Sequence, residues 1–319
     1  MKKFSDIEVW KEVESFIDEP RMKNVFSAAS RADLLITEHY DEIRIWNIKD
    51  LPNIKFVSAL KLPSTYCNIK LAGDTLYLYK RDYKGSVAIV DLSNIEKPVL
   101  SNTYKVNDLS NGTYSDGLIY LTAGNEVLSL DKEGHSNAII SIDEQANFND
   151  YPSDIAKVNQ TLFVVGRHAG LYIYSSSDDL NWNLESTHKK GYTPTSINWE
   201  KEGEKMLLIG NSEVIRYDLS NCKKPKRHKA CKLGKTELCG HFAQRENEIM
   251  VVGNTGAKDK FSLGVVAMHE TEIKLVNQPK LEYKPRVKFG DITEYIAIKD
   301  DYLLILGRES GCFLFKEQA

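Results

Sequence analysis

The sequence predicts an all-β chain that folds as a seven-bladed β-propeller with four-stranded blades. Two observations support this fold class: one segment is repeated, and strand patterns recur along the whole chain. The segment SVAIVDLSNIEKP at residues 86–98 has a near copy, EVIRYDLSNCKKP, at residues 213–225. Several short strands recurring every roughly forty to fifty residues are typical of a propeller.

Each repeat unit shows the same order of strands. A moderately apolar strand is followed by a strongly apolar strand, a tight hairpin, a third strand and a more polar outer strand. Positions equivalent to Asp91 occur once per unit, at Asn47, Asp91, Asp131, Ser175, Asp218, His269 and Lys316. Seven such units predict seven blades within one domain that spans residues 1–319.

Glycines follow the second strand in five units, at Gly124, Gly166, Gly210, Gly253 and Gly307. A tight hairpin turn needs a residue with positive φ, which glycine adopts without steric cost. We therefore expect these glycines to form the turns. A phosphate-binding role is disfavoured, because no predicted helix follows any of them.

The N-terminal segment is expected to close the ring. The last unit stops after its third strand, at CFLFKEQA, and residues 6–16 alternate in the way that a strand requires. A helix is the competing interpretation, since Ser5 and Glu8 form a capping box and apolar residues recur at helical spacing. A strand is favoured, because it covers an exposed sheet edge.

Composition limits the cellular locations and the classes of partner that we expect. The net charge is −3, from 42 basic and 45 acidic residues, which disfavours a globally basic nucleic-acid binder. No apolar run is long enough for a signal peptide or a transmembrane helix. Five scattered cysteines indicate reduced thiols rather than a disulfide framework. The expected location is the cytoplasm.

The units resemble the LVIVD class of bacterial propeller repeat. The resemblance rests on SVAIVDLSNIEKP, GLYIYSSSDD and EVIRYDLSNCKKP, and it extends from about Val25 to Phe315. It implies a propeller fold and assigns no catalytic residues. The third and sixth units depart from the pattern, the third through Ser129 and the sixth through a longer hairpin.

The most favoured function is non-catalytic binding of a protein partner. The sequence contains no nucleophile motif, phosphate loop or zinc motif, and no cofactor or metal is expected. Loops on one propeller face carry tyrosine and arginine, which are enriched in binding hot spots. The candidate partner-binding residues are Tyr40, Arg81, Tyr83, Arg167, His168, Tyr192 and Arg308. The most concrete version is an intracellular immunity-type inhibitor, expected to be monomeric, that sequesters a toxin.

Two other functions are less favoured. A lactonase-like hydrolase would use acid and base groups where the innermost strands begin. These positions are Asn24, Cys67, Asn111, Asp154, Ser196, Cys239 and Glu294, of which Asp154 and Glu294 are the two carboxylates. Nucleic acid could contact the basic run KKPKRHKACKLGK, which begins at Lys223 and ends at Lys235. That run lacks interleaved aromatic residues and coincides with an outer strand, so solvent exposure explains it better.

One group of residues resembles a metal site in its residue types only. Cys222, Cys231, Cys239 and His241 lie near one another in the sequence, but their spacing fits no zinc motif. Buried or incidental thiols are the favoured interpretation.

Overall fold

The chain is all-β. The computed structural model describes residues 2–13, 23–131, 133–141, 152–166, 170–188, 194–200, 205–210, 213–218, 221, 224–233, 237–254, 261–269, 272–282, 293–308 and 311–318. Apart from one 3-10 turn at Phe4–Asp6, every regular element in these ranges is a strand. No helix in them has the length and apolar character needed to cross a bilayer.

Twenty-nine strands are present in the described ranges. The first half comprises β1 (Val9–Glu12), β2 (Val25–Arg31), β3 (Leu34–His39), β4 (Glu42–Asn47), β5 (Lys55–Lys61), β6 (Asn68–Ala72), β7 (Thr75–Lys80), β8 (Asp82–Asp91), β9 (Val99–Ser115), β10 (Leu118–Ala123), β11 (Glu126–Leu130), β12 (Ser136–Ser141), β13 (Pro152–Val158), β14 (Thr161–Gly166) and β15 (Gly170–Ser175). The second half comprises β16 (Asn183–His188), β17 (Pro194–Glu200), β18 (Lys205–Gly210), β19 (Glu213–Asp218), β20 (Lys226–Arg227), β21 (Cys231–Lys232), β22 (Glu237–Arg245), β23 (Glu248–Asn254), β24 (Phe261–Met268), β25 (Ile273–Asn277), β26 (Lys280–Glu282), β27 (Thr293–Lys299), β28 (Tyr302–Gly307) and β29 (Gly311–Glu317).

These strands form six hydrogen-bonded sheets. Three sheets have four consecutive strands each: β2–β5, β13–β16 and β22–β25. In a fourth sheet, β17–β20, the short strands β20 and β21 both pair with β19. A fifth sheet has the order β26-β1-β29-β28-β27, and the sixth contains the seven strands β6–β12.

The seven-stranded sheet departs from the predicted separation into four-stranded blades. Its strand β9 is 17 residues long. The first part of β9 pairs with β8, and the part from Leu109 onward pairs with β10. Asp108, with φ of 53°, lies at the junction, and the register against β10 shifts just after it, between Leu109 and Asn111, without ending the strand. Because no turn separates the two units here, one sheet spans both.

The sheets are arranged around a closed ring, as in a propeller. The innermost strands contact one another in the cycle β2, β6, β9, β13, β17, β22, β27 and back to β2. Apolar side chains fill the spaces between sheets. Leu35 and Trp46 pack against Leu304 and Leu314 of the last sheet. The middle strands are buried on both faces, which explains their long apolar runs.

The N-terminal segment joins the last sheet as a strand. β1 pairs antiparallel with β29, with Trp10 opposite Glu317, and parallel with β26. Phe4, Ile7 and Trp10 are completely or almost completely buried. Helical structure here is limited to the 3-10 turn, and residues 14–16 of the predicted closing segment lie outside the described residues.

Three side chains of the β22–β25 sheet fasten this segment. The Ser5 amide donates to Glu248 Oε2 over 2.9 Å. Asn277 Nδ2 donates to the carbonyl of Ile7 over 2.8 Å. Arg245 donates to the Lys2 carbonyl and to Glu317 Oε2, each over 3.1 Å, and to the Asp300 carbonyl. Arg245 therefore connects the N-terminal segment, the last strand and the neighbouring sheet.

The prediction that the five hairpin glycines supply positive φ is wrong for most of them. Gly124 has φ of 55°, but Gly166 and Gly307 are strand residues. Positive φ occurs instead at their cross-strand partners Gly170 and Gly311, at 98° and 86°. In each pair the positive φ therefore belongs to the second glycine, for which it carries no steric cost.

We expect Arg245→Ala to lower the free energy of unfolding by about 3 kcal/mol, because it leaves Glu317 and two carbonyls without a buried cationic partner. Urea unfolding measures this change. The control is Lys55→Ala, which removes a surface pair with Asp50 in which both side chains are more than half exposed, and which should change stability by at most about 0.5 kcal/mol. Equal effects of the two substitutions would contradict the fastening role of Arg245.

Candidate functional site

A β-bulge recurs near the start of the innermost strands. The register shifts between Val25 and Ser27 in β2, between Pro152 and Asp154 in β13, and between Thr293 and Tyr295 in β27. Single-residue shifts also occur in β9 and β17, and β22 has a wider one. A bulge re-aims the side chain that follows it. The repeated bulge therefore gives successive sheets a common way of directing a residue at the ring centre.

A hydrogen-bonded chain of polar side chains crosses three innermost strands. Asn68 Nδ2 of β6 donates to Asn111 Oδ1 of β9 over 2.8 Å, and Asn111 Nδ2 donates to Asp154 Oδ1 of β13 over 2.7 Å. The amides of Gly112 and Ile155 donate to the same two oxygens. Asn111 and Asp154 are both nearly inaccessible to solvent.

Lys70 shows that these side chains meet at the centre of the ring. Its Nζ lies 3.2 Å from Asp154 Oδ1, although β6 and β13 are separated in the ring by β9. A side chain can contact a strand beyond its immediate neighbour only if it points into the interior of the ring. We call the group Asn68, Lys70, Asn111, Asp154, His241 and Tyr295 the axial cluster.

His241 and Tyr295 form the opposite side of the axial cluster. Their rings are 5.0 Å apart between centroids and inclined by 61°. The Tyr295 hydroxyl and Ser30 Oγ are 2.7 Å apart. Burial and the positive charge of Lys70 lower the pKa of His241 to about 4, against a smaller opposing effect of Asp154. His241 is therefore neutral at pH 7.

The two predicted carboxylates have different positions. Asp154 belongs to the axial cluster, where one of its oxygens accepts from Asn111, Lys70 and the Ile155 amide. Glu294 occupies the bulge between Thr293 and Tyr295, so Tyr295, not Glu294, is the residue equivalent to Asp154. Sequence reasoning selected Asn111 and Asp154 as strand starts, considered His241 only for a metal site, and missed Asn68, Lys70 and Tyr295.

A second polar and aromatic group lies at the hairpins between second and third strands. Tyr40, in the β3–β4 turn, is 56% exposed, and its ring packs edge-on against Phe26 at 4.9 Å. The guanidinium of Arg308, from the β28–β29 turn, lies 5.3 Å from the centre of the Phe26 ring. Tyr40 and Arg308 are therefore brought together from two neighbouring sheets.

Arg81 and Tyr83 line a depression of about 570 Å³. Its wall includes Asp108 and Ser110 of β9 and the β10–β11 turn at Gly124. Tyr83 is 71% exposed, the highest value among the large hydrophobic residues in the described ranges. It stands on an extension of the sheet, since residues 82–85 of β8 pair with residues 106–109 of β9 beyond the end of β7.

Both groups lie on the same side of the ring. The connections between second and third strands all emerge at one end of their sheets, and these four residues sit at or beside such connections. We call Tyr40, Arg81, Tyr83 and Arg308 the hairpin face. The other predicted partner-binding residues, Arg167, His168 and Tyr192, lie outside the described residues.

The described part of the basic run contains two short strands, and along it exposed basic residues alternate with buried residues. These strands, β20 and β21, have two residues each and lie at the outer side of β19. His228 and Cys231 are buried between the exposed basic residues. Lys223 and Lys235 lie outside the described residues. The described part of the run therefore does not form a continuous basic strip.

Comparison with known proteins supports the fold. No family model matches the chain, so the LVIVD resemblance stays a prediction, and no curated protein matches it. A functionally unknown protein from Desulfotomaculum acetoxidans has a similar structure, with a TM-score of 0.64 and 13% identity over 80% of this chain and 85% of that chain. The computationally designed Ika8 protein is similar at a TM-score of 0.59 and 9% identity, covering 98% of this chain and 100% of its own.

The N-terminal domain of Nup159 is also similar, with a TM-score of 0.57 and 7% identity over 92% of this chain and 90% of that domain. Identities this low concern the fold alone. The chain has a propeller-like fold built of small sheets.

A buried histidine supports the turn that carries Tyr40. His39 Nδ1 lies 2.9 Å from the Lys23 carbonyl and therefore donates to it, so Nε2 accepts from Thr37 Oγ1 over 2.8 Å. Trp46 Nε1 donates to the same hydroxyl oxygen over 2.9 Å. Burial, with a further contribution from Arg44, lowers the pKa of His39 from 6.5 to about 4. With this pKa the ring is neutral at pH 7.

We expect the free energy of unfolding to fall as the pH decreases from about 6.5 towards 4. In this window the unfolded chain binds protons that His39 and His241 exclude in the folded state. Each histidine contributes a slope of at most about 1.4 kcal/mol per pH unit. Urea unfolding of the wild type and of His39→Gln checks this, because the variant should lose about half of the slope from this pair. An unchanged slope in the variant would show that His39 does not contribute to the pH dependence of stability.

Proposed function

We propose that this chain is a non-catalytic, protein-binding propeller that contacts its partner through the hairpin face. The observation that carries the proposal is the presence of exposed tyrosines and of arginines at neighbouring hairpins on one side of the ring. Tyrosine and arginine are the residue types most enriched in hot spots, along with tryptophan. The geometry favours a partner that spans several blades.

Preorganisation supports this proposal. Tyr40 rests on Phe26, and the turn beneath it is held by the His39–Thr37–Trp46 network. Tyr83 stands on paired strands, and Gly85 lets β8 and β9 approach closely, since a Cβ at that position would lie 2.5 Å from Leu109 Cβ. Side chains held on rigid strands lose less conformational entropy when a partner binds.

Several finer features belong to the same proposal. If the seven-stranded sheet is counted as two blades that share β9, the ring has seven blades. The last blade then takes its fourth strand from β1. We propose that the protein is a cytoplasmic bacterial monomer of the LVIVD repeat class. Its most specific role would be that of an immunity-type inhibitor that sequesters a toxin domain.

The structure offers less support for the two alternatives. A hydrolase would need Asp154 for proton transfer, but Asp154 Oδ1 already accepts three hydrogen bonds. Nucleic-acid binding would need a continuous basic surface, and the described part of the run is interrupted by buried residues.

Co-purification tests the proposed function. The tagged chain is expressed in its own host together with the products of neighbouring genes, and complexes are isolated by affinity and size-exclusion chromatography. We expect a stoichiometric complex with one protein. A chain that elutes without any protein partner and turns over a small molecule would overturn the proposal.

We expect the double substitution Arg81→Ala and Tyr83→Ala to weaken binding of the isolated partner by about thirtyfold, which corresponds to about 2 kcal/mol. Titration calorimetry measures the change. The control is Leu180→Ala, which removes an apolar side chain that is 62% exposed in the β15–β16 connection, at the opposite end of the sheets. A larger loss in the control than in the double variant would place the interface on the other face.

A further inference from the structure

We propose that the axial cluster binds a small, uncharged, polyhydroxylated ligand of the sugar or polyol class. The site is formed by side chains from β6, β9, β13, β22 and β27, and none of its six residues belongs to the hairpin face. The inference therefore does not depend on the proposed protein-binding function.

Convergence across the ring distinguishes this cluster from contacts that join adjacent sheets. Asn68 and Asn111 connect neighbouring strands, whereas Lys70 reaches past β9 to Asp154. The charges of Lys70 and Asp154, which belong to two other sheets, both influence the pKa of His241 of β22. Polar groups from separate sheets are thus gathered at one place, as a ligand site requires.

Solvent reaches the cluster through Lys70. Its side chain is 31% exposed, whereas that of Asp154 is only 3% exposed. In the described ranges, Nζ donates one hydrogen bond, to Asp154 Oδ1. An ammonium group carries three N–H donors. Two donors of a partly exposed lysine therefore remain available to a ligand oxygen beside a fixed carboxylate.

The charge of the cluster favours a neutral ligand. Lys70 contributes +1, Asp154 contributes −1 and His241 is neutral at pH 7, which gives zero for the described groups. An anion at Lys70 would lie close to the Asp154 carboxylate, and a cation at Asp154 would lie close to the ammonium. Either would carry an uncompensated charge into a desolvated site, which is costly. Hydroxyl groups both donate and accept, so they can bind to each polar atom without that cost.

The aromatic side of the cluster suits the same class of ligand. The rings of His241 and Tyr295 lie against each other opposite the polar side chains. A sugar or cyclic polyol presents C–H groups as well as hydroxyls, so its apolar face can pack on the partly exposed His241 ring, which the buried Tyr295 ring supports from behind. Its hydroxyls can then contact Lys70 and Asn68. The cluster thus offers polar and apolar surfaces together, as small-molecule sites commonly do.

Saturation-transfer NMR on the full chain tests the proposal, with a panel of monosaccharides and inositols as probes. We expect transfer from the protein to at least one panel member, with binding that is insensitive to salt. The double substitution Lys70→Met and Asp154→Asn removes both charges without leaving one unpaired, and it should weaken binding at least about tenfold. Tyr83→Ala, on the hairpin face, should leave binding unchanged.

Circular dichroism and the unfolding midpoint verify that the double variant is folded. If it is not, Asn68→Ala replaces it, because Asn68 is only partly buried and should also weaken binding. The proposal is overturned if no panel member receives saturation, if the folded variants bind as tightly as the wild type, or if acetate or inorganic phosphate binds in preference to the polyols. None of these results affects the co-purification test of the hairpin face.

Discussion

Closure of the ring is the constraint on which the rest of the structure depends. Each sheet buries apolar faces against two neighbours, so the first and last sheets must also meet. They do so through Tyr295 and Leu304, which pack with Trp46. The N-terminal strand then covers the edge of β29, and Phe4, Ile7 and Trp10 complete a core with the β22–β25 sheet. Residues so distant in sequence can be joined because the entropic cost of loop closure grows only slowly with loop length.

The closed ring creates two interior environments. Between the sheets the side chains are apolar and tightly packed. Packing is equally tight within the seven-stranded sheet, because a Cβ at Gly112 of β9 would lie 2.3 Å from the ring of Tyr79 of β7. At the axis the innermost strands carry polar groups. The ion pair of Lys70 and Asp154 is stable there because Asn111 and the Ile155 amide supply further hydrogen bonds, which a desolvated carboxylate requires. The bulges in β9 and β13 direct Asn111 and Asp154 inward, whereas β6, which carries Lys70, pairs with β7 without a register shift.

The hairpin face and the axial cluster use different parts of the same repeat. Tyr40 lies in a hairpin outside the strand pairing, and Tyr83 is an exposed side chain on a paired strand, so both can change without loss of the fold. The innermost strands are constrained by both neighbours. A protein partner at the rim and a small ligand at the axis can therefore be bound by one scaffold.

The sequence by itself determined the fold class and the closing strand. Repeated segments and strand alternation are local properties, and edge coverage favoured a strand over a helix at residues 9–12, as observed. It could not show that β9 is continuous, because that depends on one strand pairing first with β8 and then with β10 in the folded sheet. Nor could it show which polar residues meet. Lys70 and Asp154 are 84 residues apart, and Lys70 Nζ lies 3.2 Å from Asp154 Oδ1 only because the closed ring is narrow enough for their side chains to meet. Periodicity identifies strands, whereas contacts across the axis are set by the packing of all sheets together.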